Sequence, residues 1–443
     1  MRIQLSDHFT YGRLIRFTLP SIVMMIFTSI YSVVDGLFVS NFVGKTPFAA
    51  INLIMPILIV LGALGFMVGT GGSAIVAKTL GEGDAARANR YFSMLVYTTV
   101  IGGAVLAALG ELCLRPVSAL LGAQGEMLES CVLYGRIILL ALPAFMLQNV
   151  FQSFMVTAEK SRLGLGVTVA AGLTNMVLDF VFIVPLQWGL AGAAVATAIS
   201  QTVGGVVPLL YFARPNNSLL RLTRARPDGR ILLRTCANGS SELMSNISAS
   251  VVTMLYNFQL MRLAGEDGIA AYGVVMYVNF IFAAVFIGYS IGAAPVVGYH
   301  YGAQNHAELK NLFRRSLTLV ATSGVVMTVL AELLAQPLTQ VFVGYDAGLY
   351  ALTVRGFMLY SISFLLSGVN IFGSAFFTAL NNGGVSAAIA FLRTLVFQVV
   401  VVLLLPALIG LDGIWLAIVA AELLALAVTL FFFVIKRGQY HYV

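Results

Sequence analysis

Charged residues are scarce in this chain of 443 residues. They make up 10% of it, against about 25% in an average soluble domain, while 59% of the residues are apolar and the mean hydropathy is +0.94. Such a chain cannot cover a water-facing surface with charge, which excludes a soluble globular protein. The composition predicts an all-α integral membrane protein whose helices face lipid or one another.

Groups that usually carry catalysis are also few. The three cysteines make no disulfide framework, and the four histidines form no HExxH pattern. A P-loop sequence is missing as well, which argues against an ATP-driven pump. We therefore expect neither an enzyme nor a protein that needs a cofactor. The histidines all lie near the ends of apolar runs: His8, His300, His306 and His441.

Long apolar runs are what the chain has in abundance. A helix that crosses a bilayer needs about 20 apolar residues, and twelve runs reach that length. The first of them is too long for a signal peptide and has no small-residue cleavage pattern, so we expect it to be retained. The twelve predicted spans are 14–40, 47–76, 91–112, 128–156, 164–186, 190–212, 234–262, 267–300, 311–335, 347–377, 384–409 and 413–435.

The net charge of +7 reflects topology. If the N-terminus is placed inside, most of the 25 basic residues, Arg2 among them, fall at cytoplasmic ends of spans. Few, such as Lys45 and Arg115, fall at outer ends. This positive-inside bias predicts that both termini are cytoplasmic, and it makes a nucleic-acid partner unnecessary.

The chain contains an internal repeat with an offset of 221 residues. PLQWGLAGAAVA (185–196) matches PALIGLDGIWLA (406–417), and the same register pairs Gly81 with Gly302. Each half holds six spans, so the repeats have the same orientation, and two such lobes suggest a cleft and alternating access between them. The predicted division is a first lobe, a cytoplasmic linker and a second lobe, at 1–212, 213–233 and 234–443.

Polar residues inside the spans are concentrated in the first lobe. The repeat pairs four of them with apolar or aromatic residues of the second lobe: Asp35 with Tyr256, Asn175 with Val396, Asp179 with Val400 and Thr197 with Ile418. Helix packing alone does not explain this difference, since packing should act on both lobes alike. We therefore predict a polar site in the first lobe.

The predicted site is built from residues at a common depth. At 1.5 Å per residue, Asp35, Asp179 and Thr197 lie about 10 Å below the outer edge, and Asn175 shares a helix face with Asp179. Tyr134 and Gln152 enter from the fourth span. Two carboxylates in a poorly solvated cavity do not both ionise easily, so the pair can hold a proton or a Na⁺ ion. The alternative is two isolated carboxylates, each hydrogen-bonded across helices.

Other polar and soft side chains suggest a substrate path. Arg393 and Glu422 lie within the last two spans, where they form either a self-neutralising ion pair or a substrate contact. Glu242 lies near the cytoplasmic opening, where it could meet cationic substrates. Methionine adapts to many shapes and aromatic faces attract cations, so a promiscuous pocket can be built from both. The predicted pocket residues are Met24, Tyr31, Tyr256, Glu242, Met276, Tyr277 and Met358.

These features together resemble the multidrug and toxic compound extrusion (MATE) family of bacterial transporters. The resemblance covers nearly the whole chain: twelve spans in two lobes, the first span with Pro20 and Asp35, GTGGSAIVAKTLGEGD at the end of the second, and N-x-x-x-D in the fifth. The chain departs from the family at Gln152, where an Asn is expected. It also lacks the acid that some Na⁺-linked members carry in the tenth span, because Asp346 is only at its outer mouth.

The resemblance implies an antiporter of the inner membrane that exports cationic, amphipathic drugs in exchange for H⁺ or Na⁺, and that works as a monomer. The residues that match the family's coupling site in the first lobe are Asp35, Tyr134, Asn175, Asp179 and Thr197. Coupling through this lobe, with H⁺ rather than Na⁺, is the favoured expectation. The alternatives are Na⁺ coupling, a channel, or a lipid-linked glycan flippase, which would favour a strongly cationic cavity.

Overall fold

The computed structural model describes residues 3–443, apart from the side chains of Leu37, Ser40 and Lys45. Arg2 and the Lys45 side chain, used in the charge argument, therefore lie outside the described residues. The chain folds into long helices: α1 (Tyr11–Phe42), α2 (Lys45–Gly81), α3 (Ala85–Leu120), α4 (Gly125–Leu140), α5 (Leu142–Thr157), α6 (Ser161–Ile183), α7 (Gly189–Ala213), α8 (Gly229–Gly302), α9 (His306–Val343), α10 (Ala347–Ser361), α11 (Phe364–Ala379), α12 (Gly383–Phe391), α13 (Phe397–Ile409) and α14 (Leu411–Tyr440).

The helices are consistent with twelve spans once three breaks are recognised. Over the described range, nine helical segments are long and apolar enough to cross a membrane. Two further spans are bent pairs, α4 with α5 at 55° and α10 with α11 at 48°. The 74-residue α8 contains a non-helical Gly265 with φ 64° and ψ −149°, which divides it into two arms, 229–264 and 266–302. Only glycine adopts this backbone conformation readily.

The connection between the two halves is shorter than the predicted linker. Residues 214–228 are not helical, whereas α8 already begins at Gly229. The reason is an N-cap, since the Asp228 side chain accepts hydrogen bonds from the backbone N–H groups of Arg230 and Ile231. We call the helices before this connection, α1 to α7, the first lobe and those after it, α8 to α14, the second lobe.

Each lobe has its own hydrophobic core at one end of the bundle. One cluster of buried residues runs from Val39 to Ala194, and its counterpart runs from Val252 to Ala421. At the other end a shared cluster joins the first residues of the chain, including Leu5, to the second lobe and to Tyr442. We call this end, which carries both termini, the terminal end. The lobes are therefore joined there.

Glycines bring the lobes into backbone contact at the terminal end. A Cβ atom on Gly81 would lie 2.0 Å from the Tyr299 carbonyl oxygen, and one on Gly302 would lie 2.0 Å from the Lys78 carbonyl oxygen. The 221-residue offset pairs Gly81 with Gly302 and Lys78 with Tyr299, so the contact is reciprocal. It is the contact expected of two repeats related by a pseudo-twofold axis.

The N-terminal segment fastens this joint. The backbone N–H of Leu5 donates to Glu159 in the first lobe at 2.8 Å. The backbone N–H of Phe9 donates to Glu308 in the second lobe at 2.9 Å, and His8 Nδ1 lies 2.6 Å from the same carboxyl group. Because residues 5–9 contact both lobes, they help to hold the terminal end closed.

Candidate functional site

The structure brings the first-lobe polar residues together. Asp35 of α1 faces Asp179 and Asn175 on α6. The Asn175 amide nitrogen is 3.5 Å from the hydroxyl of Thr197 on α7. The Tyr134 hydroxyl of α4 donates to Met55 Sδ at 3.9 Å and lies beside the same group of side chains. Four helices thus contribute to one polar cluster, which we call the acidic cluster.

Burial makes the acidic cluster chemically unusual. Asp179 is 0% exposed and Asn175 is 2% exposed. Both carboxyl oxygens of Asp179 and one of Asp35 accept no N–H or O–H from the described residues, and neither does the Asn175 amide oxygen. Buried carboxylates without donors are costly, so the cluster favours a bound proton or cation that satisfies these oxygens.

A glycine that sequence reasoning did not single out sets the geometry of the cluster. A Cβ atom on Gly172 would lie 2.5 Å from Phe27 Cε1 and 2.9 Å from Tyr31 Cδ1. Because glycine has no Cβ atom, α1 and α6 approach each other closely here. The contact lies one turn before Asn175 on α6 and one turn before Asp35 on α1. The close approach therefore places the two carboxyl groups opposite each other.

Three predicted residues lie elsewhere in the first lobe than expected. Met24 and Gln152 line a second, very small void of about 10 Å³ together with Gln148. Tyr31 contacts Gly172 and Gln148 in the interior of the lobe rather than facing a cleft. Met24 and Tyr31 are seven residues apart on α1 and share the face of Asp35, which turns towards the lobe interior. The structure therefore places Met24 and Tyr31 in the interior of the first lobe, and no described contact joins Gln152 to the carboxyl groups.

The second lobe contains a larger cavity, of about 210 Å³. Of the predicted pocket residues, Tyr256 and Met276 line it. The Tyr256 hydroxyl donates to Gln398 Oε1 at 3.2 Å, and its ring stacks on that of Tyr272 with centroids 4.9 Å apart. Tyr360 also lines the wall. This aromatic cavity, which we call the second-lobe cavity, is bounded by both arms of α8.

The break between α10 and α11 and a π-helical turn at Leu392–Val396 shape the second-lobe cavity. Breaks of this kind in membrane helices are common at binding sites. The π turn also changes the repeat register. Val400 is 45% exposed, whereas Val401 and Val402 are 4% and 0% exposed, so Val400 does not occupy the inward position that corresponds to Asp179. The buried residues that follow the π turn are Gln398, Val401 and Val402, and none of them carries a carboxyl group.

Arg393 and Glu422 form the expected ion pair on the wall of the second-lobe cavity. Arg393 Nε lies 2.9 Å and 3.0 Å from the two Glu422 oxygens. The side-chain amide nitrogen of Asn370 donates to Glu422 Oε2 at 2.7 Å. The Glu422 side chain is 2% exposed and that of Arg393 21% exposed. The second lobe therefore contains buried charged residues of its own, in keeping with the positions of Arg393 and Glu422 within the last two predicted spans. Its polar residues occupy different positions and neutralise each other.

We expect Glu422→Leu to be strongly destabilising. Removing one partner leaves a buried guanidinium without its anion, which costs about 3–5 kcal/mol, whereas Arg393→Leu combined with Glu422→Leu should recover most of the loss. Thermal unfolding of the purified protein measures both. Asp412→Leu, which breaks the exposed pair with Arg355, is the control and should have little effect. Equal losses for Glu422→Leu and the double variant would contradict the prediction.

The remaining predicted pocket residues do not reach the second-lobe cavity. Tyr277 is 38% exposed and stacks on Phe342 of α9, so its ring points away from the cavity. Met358, on α10, is 39% exposed and is not part of the wall. Glu242 is half-buried one turn beyond Gly239, where α8 crosses α2. A hydropathy pattern does not identify which helix face meets a cavity, so the sequence could not place Tyr277 and Met358 relative to it.

The fold and the acidic cluster describe a two-lobed transporter of the MATE type, and comparison with known proteins agrees. The MatE family model matches residues 20–181 and 243–404, and the chain therefore belongs to the MatE family. The two matches fall on the two repeats, as one copy of the family unit in each lobe.

Similar proteins have been named for drug export. The chain is 24% identical over 425 residues to the multidrug export protein MepA of Staphylococcus saprophyticus, covering 96% of this chain and 93% of that protein. Against MepA of Staphylococcus aureus strain N315 the identity is 23%, covering 96% and 94%. The chain therefore matches these relatives over nearly the whole length of both proteins.

Solved structures share the fold. A MATE crystallised in complex with MaL6 superimposes with a TM-score of 0.93 at 21% identity, covering 98% of both chains. A MOP superfamily transporter from Pyrococcus furiosus, described as having a binding pocket of reverse polarity, superimposes with a TM-score of 0.90 at 21% identity, covering 98% of this chain and 97% of that chain. At this identity the likeness establishes the architecture of two repeated lobes.

Proposed function

We propose that this transporter exports cationic, amphipathic small molecules in exchange for protons, and that the acidic cluster is the coupling site. The observation that carries the proposal is the pair of carboxyl groups, Asp35 and Asp179, which face each other and have buried oxygens that no donor of the described residues satisfies. Two bare carboxylates repel at this range, so the arrangement fits a proton held between them.

Sodium is the second candidate ion. Asn175 and Thr197 add an amide oxygen and a hydroxyl to the two carboxyl groups, which gives the oxygen ligands that a hard cation uses. The direct approach of one carboxyl group to the other favours the proton, because a Na⁺ ion would have to lie between them. Among the described residues that line the second-lobe cavity, the one acid is Glu422, which is already paired with Arg393 and is therefore not free to bind Na⁺.

The second-lobe cavity is the site that we propose for the drug. Three tyrosine rings, Tyr256, Tyr272 and Tyr360, offer faces that attract organic cations, and Met276 offers an adaptable apolar contact. The Arg393–Glu422 pair contributes no net charge. This last point argues against a glycan flippase, because a pyrophosphate needs a strongly cationic cavity.

The proposed cycle follows from the closed terminal end. In this proposal both termini are cytoplasmic and a single chain acts as the transporter. The terminal end then faces the cytoplasm, so this conformation is closed on the cytoplasmic side. Carboxyl groups of the acidic cluster take up a proton from the outer side, helix packing in the first lobe changes and the drug is released. Return to the inward-facing state discharges the proton into the cytoplasm.

The test is drug uptake into inverted membrane vesicles, with ethidium as the cation and its fluorescence as the readout. An acid-inside pH gradient should drive ethidium accumulation, and a Na⁺ gradient of equal size at constant pH should not. Vesicles that lack the protein are the control. Accumulation driven by Na⁺ alone would overturn the proton assignment, and equilibration without accumulation would indicate a channel.

A further inference from the structure

The connection between the lobes is bound to the surface of the first lobe. The Arg221 backbone N–H donates to Asn89 Oδ1 at 2.6 Å, and the Thr223 backbone N–H donates to Ser93 Oγ at 2.8 Å. The Tyr97 hydroxyl donates to the Thr223 carbonyl oxygen at 3.1 Å. Residues 219–223 therefore lie along the first turns of α3 in a fixed position.

This position is at the edge of the membrane. α3 presents one exposed apolar stripe with helical spacing: Tyr97, Ile101, Val105, Leu109 and Leu112, which are 39–78% exposed. Such a stripe on a spanning helix faces lipid. Tyr97 is the residue of this stripe nearest the terminal end, and its hydroxyl contacts the connection. Tyrosine is favoured at the level of the lipid headgroups, so residues 219–223 lie at that level.

The connection carries a strong and uncompensated positive charge. Between residues 214 and 234 the sequence has six arginines and a single acid, Asp228. Arg221, Arg224 and Arg226 are exposed, and in the described part of the chain none of them takes part in an ion pair. Asp228 caps α8 through backbone N–H groups. We call Arg221, Arg224 and Arg226 the basic strip.

We propose that the basic strip binds the phosphate groups of anionic phospholipids in the leaflet at the terminal end. Arginine presents planar donors that match phosphate oxygens, and basic residues at headgroup depth are attracted to anionic lipid surfaces. The lipid is the occupant that the geometry favours, because the strip continues directly from the lipid-facing stripe of α3. Lipid bound here also contacts the chain segment that leads into α8, the helix that forms the joint between the lobes.

The test compares lipid preference in the full-length protein. Purified protein is reconstituted with spin-labelled phosphatidylglycerol or phosphatidylcholine, and the immobilised fraction of each is measured by electron spin resonance. The variant Arg221→Gln, Arg224→Gln and Arg226→Gln should lower the preference for phosphatidylglycerol at least about fivefold, the effect of losing one phosphate contact. The same three positions changed to Lys should keep most of it.

The matched control removes three exposed arginines elsewhere at the terminal end, with Arg162→Gln, Arg314→Gln and Arg437→Gln. This variant should retain the preference. An equal fall in both Gln variants would overturn the proposal, because it would show a diffuse charge effect. Loss of the preference on adding millimolar inorganic phosphate would overturn it as well, since the strip would then be a site for free anions.

Discussion

Asp35→Asn and Asp179→Asn should each abolish the drug accumulation that an imposed pH gradient drives, while the protein stays in the membrane. Asparagine has the size of aspartate and can keep hydrogen bonds within the acidic cluster, but it cannot bind and release a proton. Coupling between two ligands of one protein changes affinity by about 5–150-fold. Uptake should therefore fall at least about fivefold, to the level of passive equilibration.

The measurement is initial ethidium uptake in vesicles that contain equal amounts of each variant. Asp346→Asn is the matched control, because Asp346 caps α10 through the Gly348 and Leu349 N–H groups and asparagine caps a helix equally well. It removes a carboxylate outside the acidic cluster and should leave uptake unchanged. If both cluster variants accumulate ethidium like the parent protein, the acidic cluster is not the coupling site.

Much of the architecture was predictable because length and repetition are properties of whole segments. Twelve apolar runs and the 221-residue repeat led to two lobes of six spans each, and the MatE family match, with one copy in each half, agrees with the repeat. What the runs do not show are interruptions of a few residues. The bends near residues 141 and 362 and the π turn at Leu392–Val396 leave mean hydropathy unchanged, so they appear only in three dimensions.

The sequence located the acidic cluster better than it located the second-lobe cavity. Asp35 and Asp179 were identifiable because a carboxylate in an apolar span is costly wherever it faces. Tyr277 and Met358 were not, because aromatic and methionine side chains are equally stable against lipid and in a cavity wall. Tyr360, which does line the second-lobe cavity, is a tyrosine like Tyr277 and differs from it only in the helix face on which it lies.

Gly71→Ala and Gly239→Ala should separate the lobes at the terminal end. A Cβ atom on Gly71 would lie 2.1 Å from the Thr235 carbonyl oxygen, and one on Gly239 would lie 1.9 Å from that of Met67. Both clashes are with backbone, so helices α2 and α8 must move apart. Overpacking of this kind costs about 1–3 kcal/mol, and 2 kcal/mol changes the ratio of two conformations about thirtyfold.

The separation can be measured as a distance between spin labels at Ala86 and Ala307. These exposed alanines are equivalent under the repeat and lie in the first turns of α3 and α9, one in each lobe. In a cysteine-free background, Gly71→Ala should shift the distance distribution to longer values. Gly102→Ala and Gly166→Ala are the controls, because nothing lies within 4 Å of a Cβ atom at either position.

The glycine and aspartate variants should fail in different ways, which makes the two predictions independent. Asp35→Asn removes the proton site and leaves the glycine contact intact, so the Ala86–Ala307 distance should still respond to ethidium. Gly71→Ala leaves the acidic cluster intact and biases the conformation, so the distance should change even without drug. An unchanged distance in Gly71→Ala would mean that the helices absorb the methyl group without separating. The joint at the terminal end would then not control access between the lobes.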